Sequence, residues 1–230
     1  MTHKQALNKV DSLLEIMRDL RAPNGCPWDA EQTPESLTPF ILEEACELID
    51  AIEDGSTELV LDELGDLLLQ VVFQARIFEE REQFDFHDVV TGIAEKLIRR
   101  HPHVFSRDDS TVHANELDKQ WDEIKRSEST NNKTCLADHL PSRLPALQRA
   151  QKLVSRVYRA DRQSELPAAQ QIPLHAIQQD QKDGGNLILN EESLGQMLFC
   201  LTRLAHDANL DAETALRKTT RMVIKDLDQD

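Results

Sequence analysis

The sequence predicts an all-α protein, and three observations carry that expectation. Only seven glycines occur in 230 residues, while Leu, Ala, Glu, Gln, Lys and Arg, all good helix formers, are abundant. Apolar residues recur at spacings of three and four over most of the chain. No segment alternates apolar and polar residues between turn signals, so strands are at most incidental.

The elements follow in order. Residues 4–20 place Leu7, Val10, Leu13, Leu14 and Met17 on one face of an opening helix, which "RAPNGCPWD" (21–29) ends with two prolines and a glycine. A second helix runs from about residue 38 to 53, "EDGST" turns the chain, and a third runs from about 57 to 80. This third helix is apolar on nearly all sides after Asp66, so partners must bury it, in its own bundle or in a dimer. A fourth ends near residue 100, because Pro102 disfavours continuation. Residues 115–128 form a shorter helix, and "STNNKT" after it reads as a linker. Residues 144–160 and 194–227 are helical, and 163–190 are a loop or partial helix.

These segments group into a helical domain over 1–130, a linker over 131–143 and a second helical domain over 144–230. An internal repeat supports duplication: "ELGDLLLQVVFQARI" (63–77) aligns with "SLGQMLFCLTRLAHD" (193–207) at an offset of 130. Across the repeat Glu63 becomes Ser193 and Asp66 becomes Gln196.

The net charge of −16 argues against general binding to nucleic-acid backbones. Residues 1–135 hold 29 acids against 14 Lys and Arg, and the rest of the chain is nearly balanced. The acidity, and with it the expected chemistry, lies in the first half. No apolar run is long enough for a membrane span, and the N-terminus lacks a signal-peptide core. Four scattered cysteines fit neither a disulfide framework nor a zinc site. A reducing cytoplasm is the expected location.

The second helix carries "ILEEACELIDAI" (41–52), with acids three and four positions apart, where like charges weaken a helix. Ile41, Ala45, Leu48, Ile49 and Ile52 form its apolar stripe. Val60, Leu64, Leu67, Val71 and Phe78 form the stripe of the next helix. The short turn makes the two antiparallel neighbours. Packed through these stripes, they bring Glu44, Glu47, Glu63 and Asp66 to one seam. Four carboxylates there do not all ionise without a cation, and oxygen ligands without His or Cys suit Mg²⁺ or Mn²⁺. A solvated acidic face is the competing reading. A di-iron carboxylate bundle is disfavoured, since no His follows a Glu by three residues.

Lys96 and Arg100, spaced i, i+4, would neutralise phosphate charge, or simply face the dipole of a helix C-terminus. Trp121 and Lys125 have the same spacing, and Trp121 reads as a packing anchor or as a platform for a base. His101 and His103 fit local turn structure better than phosphate binding. No P-loop or G-x-G-x-x-G occurs, nor any arguable nucleophile with a His partner.

"NGCPWDAEQT" (24–33), "LEEACELIDAI" (42–52), "DELGDLLLQVVF" (62–73), "KLIRRHPHVF" (96–105) and "WDEIK" (121–125) together resemble the MazG family of nucleoside triphosphate pyrophosphohydrolases. "LPSRLPALQRAQK" (140–152) resembles the segment joining the repeated domains of longer members. The resemblance implies a homodimeric all-α bundle of two tandem domains that hydrolyses NTPs to NMP and pyrophosphate with Mg²⁺. It implies Glu44, Glu47, Glu63 and Asp66 as metal ligands, and Lys96, Arg100, Trp121 and Lys125 as nucleotide contacts. Glu43 or Asp62 would orient the attacking water. The second half, with Ser193 and Gln196, is a degenerate copy without an anionic cage. The alternative is a non-catalytic, nucleotide-binding regulator or scaffold on the same helices.

Overall fold

The computed structural model describes residues 10–105, 140–167 and 190–228, and every described element is helical. The chain divides into two compact units, Met1–Ile124 and Lys125–Asp230.

In the first unit α1 spans Val10–Leu20, α2 Pro27–Glu31, α3 Thr38–Asp54, α4 Thr57–Glu80, α5 Phe86–Arg100 and α6 Pro102–Phe105. Local chemistry sets the ends. Gly55 closes α3 at φ 74°, a conformation that a side chain disfavours. Ser56 then caps α4 by accepting from the backbone N–H of Leu59 at 3.3 Å. Asp85 and Asp88 exchange side-chain and backbone hydrogen bonds in a capping box that starts α5. Between α1 and α2 the chain turns so tightly that a Cβ on Gly25 would stand 2.3 Å from the carbonyl oxygens of Asp19 and Leu20.

Helix α4 is the hub, packed by α3, α1 and α5. Met17, Leu37, Val72, Phe73 and Ile77 are buried together, with Leu13, Leu14, Phe40, Leu69 and Phe86 against them. The two apolar stripes expected to join α3 to α4 behave differently. Ile41, Ile49 and Ile52 on α3, and Leu64 and Val71 on α4, remain 37–58% exposed, whereas Ala45, Leu48, Val60, Leu67 and Phe78 are half-buried. The residues that bury are Leu37 and Ala51 around α3, and Gln70, Val72, Phe73, Ala75 and Ile77 on α4. The helices therefore meet toward one edge of their apolar stripes, leaving the outer part of each stripe exposed.

In the second unit α7 spans Ala146–Arg159, a 3₁₀ turn covers Gln163–Glu165, α8 spans Glu191–Asp207 and α9 Ala212–Leu227. Helix α7 packs on both α8 and α9. Its buried set is Val154, Val157, Met197, Cys200 and Thr202. The Gln151 side chain ties the α8–α9 turn down, donating to Leu210 O at 2.6 Å and accepting from Ala212 N at 3.0 Å. Residues 194–227, expected as continuous helix, break here: Asn209 takes φ 57° and Asp211 caps α9. The expected helix at 115–128 lies outside the described residues.

Candidate functional site

The short Gly55–Ser56 turn reverses the chain, so α3 and α4 run antiparallel and Glu44 faces the second turn of α4. There, one carboxylate oxygen from each of Glu44, Glu63 and Asp66 lies within 4.8 Å of the others. The i, i+3 spacing of Glu63 and Asp66 puts both on the face toward α3. Glu44 and Glu63 are half-buried.

The electrostatics record the crowding. Burial pushes the Glu44 carboxyl above its ordinary value, and the charges of Asp66, Glu47, Glu63 and Glu43 push it further. Burial, then Glu47, Asp66 and Asp62, do the same to Glu63. The neighbouring charges that shift these two groups are all acidic. Hard oxygen donors from two helices, without nitrogen or sulfur, fit a small divalent cation such as Mg²⁺ or Mn²⁺.

The other residues singled out in the sequence are distributed around this cluster. Glu47 is exposed and outside the three-oxygen group, yet near enough to act on both Glu44 and Glu63. Glu43 and Asp62 are exposed and act on Glu44 and Glu63 respectively. Lys96 and Arg100 stand in the last turns of α5 and are not part of the cluster. Trp121 and Lys125 lie outside the described residues.

The structure adds two residues that sequence reasoning passed over. Gln70 follows Asp66 by one turn of α4, is 7% exposed, and leaves its Oε1 shielded without a hydrogen-bond donor. Trp28, on α2, is 52% exposed. Its indole stands edge-on to Phe40 and Phe73, with ring centroids 5.9 and 6.5 Å away.

In the second unit, Ser193 and Gln196 occupy the first turns of α8. The Ser193 N–H donates to Asn190 Oδ1 at 2.8 Å, and Gln196 Nε2 donates to Glu192 Oε1 at 3.4 Å. They cap and brace a helix end, and no acidic cluster accompanies them among the described residues.

Comparisons with known proteins agree on one family. The MazG nucleotide pyrophosphohydrolase domain matches residues 32–105. The chain is 37% identical to the nucleoside triphosphate pyrophosphohydrolase/pyrophosphatase MazG of Thermotoga maritima, over 96% of this chain and 85% of that one. It is 40% identical to the nucleoside triphosphate pyrophosphohydrolase of Escherichia coli K12, over 92% of this chain and 83% of that one. A solved mazG-related protein from Thermotoga maritima is 27% identical with a TM-score of 0.44, covering 51% of this chain and 99% of its own.

Proposed function

The chain belongs to the MazG family, and on that premise we propose that it is a Mg²⁺-dependent nucleoside triphosphate pyrophosphohydrolase whose working site lies in the first unit. The observation that supports this most is the Glu44, Glu63 and Asp66 cluster, three oxygens within 4.8 Å. Such a cluster is electrostatically costly without a cation, and it falls within the matched 32–105 segment.

Glu44, Glu63 and Asp66, together with the exposed Glu47, would hold the metal. When bound, Mg²⁺ would anchor the phosphate chain and lower the pKa of a coordinated water. Glu43 and Asp62, flanking the ligands, would orient the water toward the α-phosphorus. Lys96 and Arg100 on α5, with Trp121 and Lys125, would hold the nucleotide and offset charge on the leaving pyrophosphate. Catalysis would then be mainly positioning and charge neutralisation.

The outer face formed by Ile41, Ile49, Ile52, Leu64, Leu68 and Val71 supports a homodimer, since so broad an apolar patch is seldom left in water. No helix among the described residues is long and apolar enough to cross a membrane. The scattered cysteines favour action in the cytoplasm. The second unit lacks carboxylates at Ser193 and Gln196 and would contribute no metal site of its own.

Incubating the pure protein with NTPs and Mg²⁺ and assaying pyrophosphate tests the proposal. Release that requires the metal is expected. No release with any nucleotide would overturn it in favour of a nucleotide-binding scaffold.

A further inference from the structure

The second unit carries a surface that the carboxylate site does not use. Helix α7 places Arg149, Lys152, Arg156 and Arg159 at spacings of three, four and three residues. At about 100° per residue they share a sector about 80° wide, centred about 150° from the buried Val154 and Val157. A straight row of cations therefore runs about 15 Å along the outer face of the helix. Arg149, Lys152 and Arg159 are exposed, and Arg156 is half-buried. Arg159 also donates to Ser155 Oγ at 2.9 Å.

Like charges three and four positions apart weaken a helix, and opposite charges at the same spacing strengthen it. Yet among the described helices of ten residues or more, α7 alone carries no acid. The place in the fold does not demand this. Helix α1 packs on α4 as α7 packs on α8, and α4 and α8 are the matched helices of the repeat. The exposed acids of α1 are Asp11, Glu15 and Asp19, mixed with Arg18, which finds Glu79 at 3.6 Å. The same position is thus mixed in charge in the first unit and wholly cationic in the second.

The chemistry of the row selects its occupant. Three of the four groups are arginines, whose planar forks pair with carboxylates through two hydrogen bonds at once. Rises of about 4.5, 6 and 4.5 Å between the cations match acids spaced three and four apart on a second helix. Because the spacing reads the same in both directions, that helix can lie parallel or antiparallel. A nucleic-acid strand fits less well. Tyr158, the aromatic residue of α7, is half-buried with its ring centroid 4.7 Å from that of His206, so the row offers no ring for a base to stack on. The chain as a whole, at −16, also repels a long polyanion that extends beyond the row. A short acidic helix stays within it.

We propose that the outer face of α7 is a docking surface for a partner protein, which presents an acidic helix whose carboxylates pair with Arg149, Lys152, Arg156 and Arg159. The contact involves neither metal nor turnover, so it stands independently of the pyrophosphohydrolase reading above. It gives the second unit, which lacks the carboxylates of the first, a role of its own. No large apolar side chain lies in the cationic sector, so the contact is electrostatic, fast to form and sensitive to salt. Without its partner, α7 bears a repulsion that a face of mixed charge would not.

Fluorescence anisotropy on the full chain tests this with three labelled probes. The first is a helical peptide of alanine and glutamine with four glutamates at spacings of three, four and three. The second has the same composition with the glutamates spread round the helix, and the third is a single-stranded oligothymidine of about 15 nucleotides. The matched peptide should bind more tightly than the other two and lose about tenfold or more in affinity between about 50 and 300 mM salt. Combining Arg149→Glu with Lys152→Glu should weaken it by about tenfold or more. The pair Arg149→Gln and Lys152→Gln, which only removes charge, replaces the reversal if that protein fails to fold. Lys152→Glu alone gains opposite-charge neighbours in Arg149 and Arg156, so it should melt no earlier than the wild type while binding the peptide less well. Equal binding of the two peptides, or unchanged binding by the variants, overturns the docking row. Tighter binding of the oligonucleotide overturns the protein partner in favour of nucleic acid. Salt-sensitive self-association in sedimentation velocity that the variants lose overturns it in favour of the acidic half of a second copy.

Discussion

The Arg21 guanidinium meets the Glu80 carboxylate side-on, with Nε 3.0 Å from Oε1 and Nη2 2.8 Å from Oε2. This joins the end of α1 to the end of α4, and Arg76 adds a contact to the same carboxylate at 3.0 Å. The hydrogen bonds from Arg21, followed by the charges of Arg21 and Arg76, hold Glu80 below its ordinary value of 4.5 despite an opposing effect of burial. A carboxylate favoured in the folded state stabilises fully above the unfolded value, and that stability is lost as pH falls through the lowered folded value. Melting temperature should therefore be insensitive to this pair above about pH 5 and fall below 4.5. Glu80→Gln should lower stability by about 1–3 kcal/mol at neutral pH and flatten the acid decline. A thermal series across pH 3–7 on both proteins checks this.

Glu44 and Glu63 run the other way. Burial and neighbouring acids raise both, so in the metal-free protein each holds its proton more tightly than it does in the unfolded chain. Stability then falls as pH rises from the unfolded value through the raised folded one. Mg²⁺ should reverse the trend, because binding requires the ionised carboxylates and releases their protons. The rise in melting temperature on adding Mg²⁺ should be larger at pH 8 than at pH 4.5, the ordinary value of both carboxyls. A metal-induced shift that is the same at both would mean that these groups do not bind it.

Substitution tests the ligand assignment directly. Glu47→Gln and Asp66→Asn should each reduce pyrophosphate release by more than about 100-fold, since loss of groups that merely orient metal ligands already costs 10–100-fold. Without metal, both variants should melt no earlier than the wild type, because each removes one of several crowded negative charges. Activity retained in both variants would sink the assignment.

How much of this was legible in the sequence depended on whether the signal was local. The close of α3 and the starts of α4 and α5 follow from Gly55, Ser56 and Asp85, whose capping chemistry acts over a few residues. The approach of Glu44 to Glu63 and Asp66 follows from i, i+3 spacing and a short turn. The α8–α9 break was hidden because "HDANLDAE" contains neither Gly nor Pro, and Asn209 supplies the left-handed residue instead. The stripes of Ile41 and Leu64 were legible as apolar, but periodicity says which face is apolar and not what covers it. Gln70 and Cys200, at matching positions of the repeat, are both buried, which periodicity alone does not reveal for a polar residue.

The outer apolar face should be where two copies meet. Leu64 and Ile52 are 50% and 58% exposed on adjacent helices, on the side away from the carboxylates. Leu64→Glu or Ile52→Glu should convert a dimer to a monomer in sedimentation equilibrium while preserving helical circular dichroism. Burying an unpaired charge in such an interface costs far more than leaving it in water. A wild-type monomer, or variants that remain dimeric, would assign the face to some other contact.

The second unit offers the last prediction. Its helices are pinned by Gln151 at the α8–α9 turn and by Arg203, which donates to Tyr158 Oη at 3.3 Å and lies 5.9 Å from that ring centroid. Those contacts stay within residues 146–227 and need nothing from the carboxylate cluster. The unit has a core of its own around Val154, Cys200 and Thr202, but Ser193 and Gln196 offer no anionic cage for a cation. A chain ending at residue 135 should therefore keep its helicity and its Mg²⁺-dependent stabilisation. Its pyrophosphate release should stay within about tenfold of the full chain, an allowance for loss of remote support to a positioned site. Complete inactivation of a truncated protein that still folds and still binds Mg²⁺ would show instead that the degenerate copy supplies groups the reaction needs.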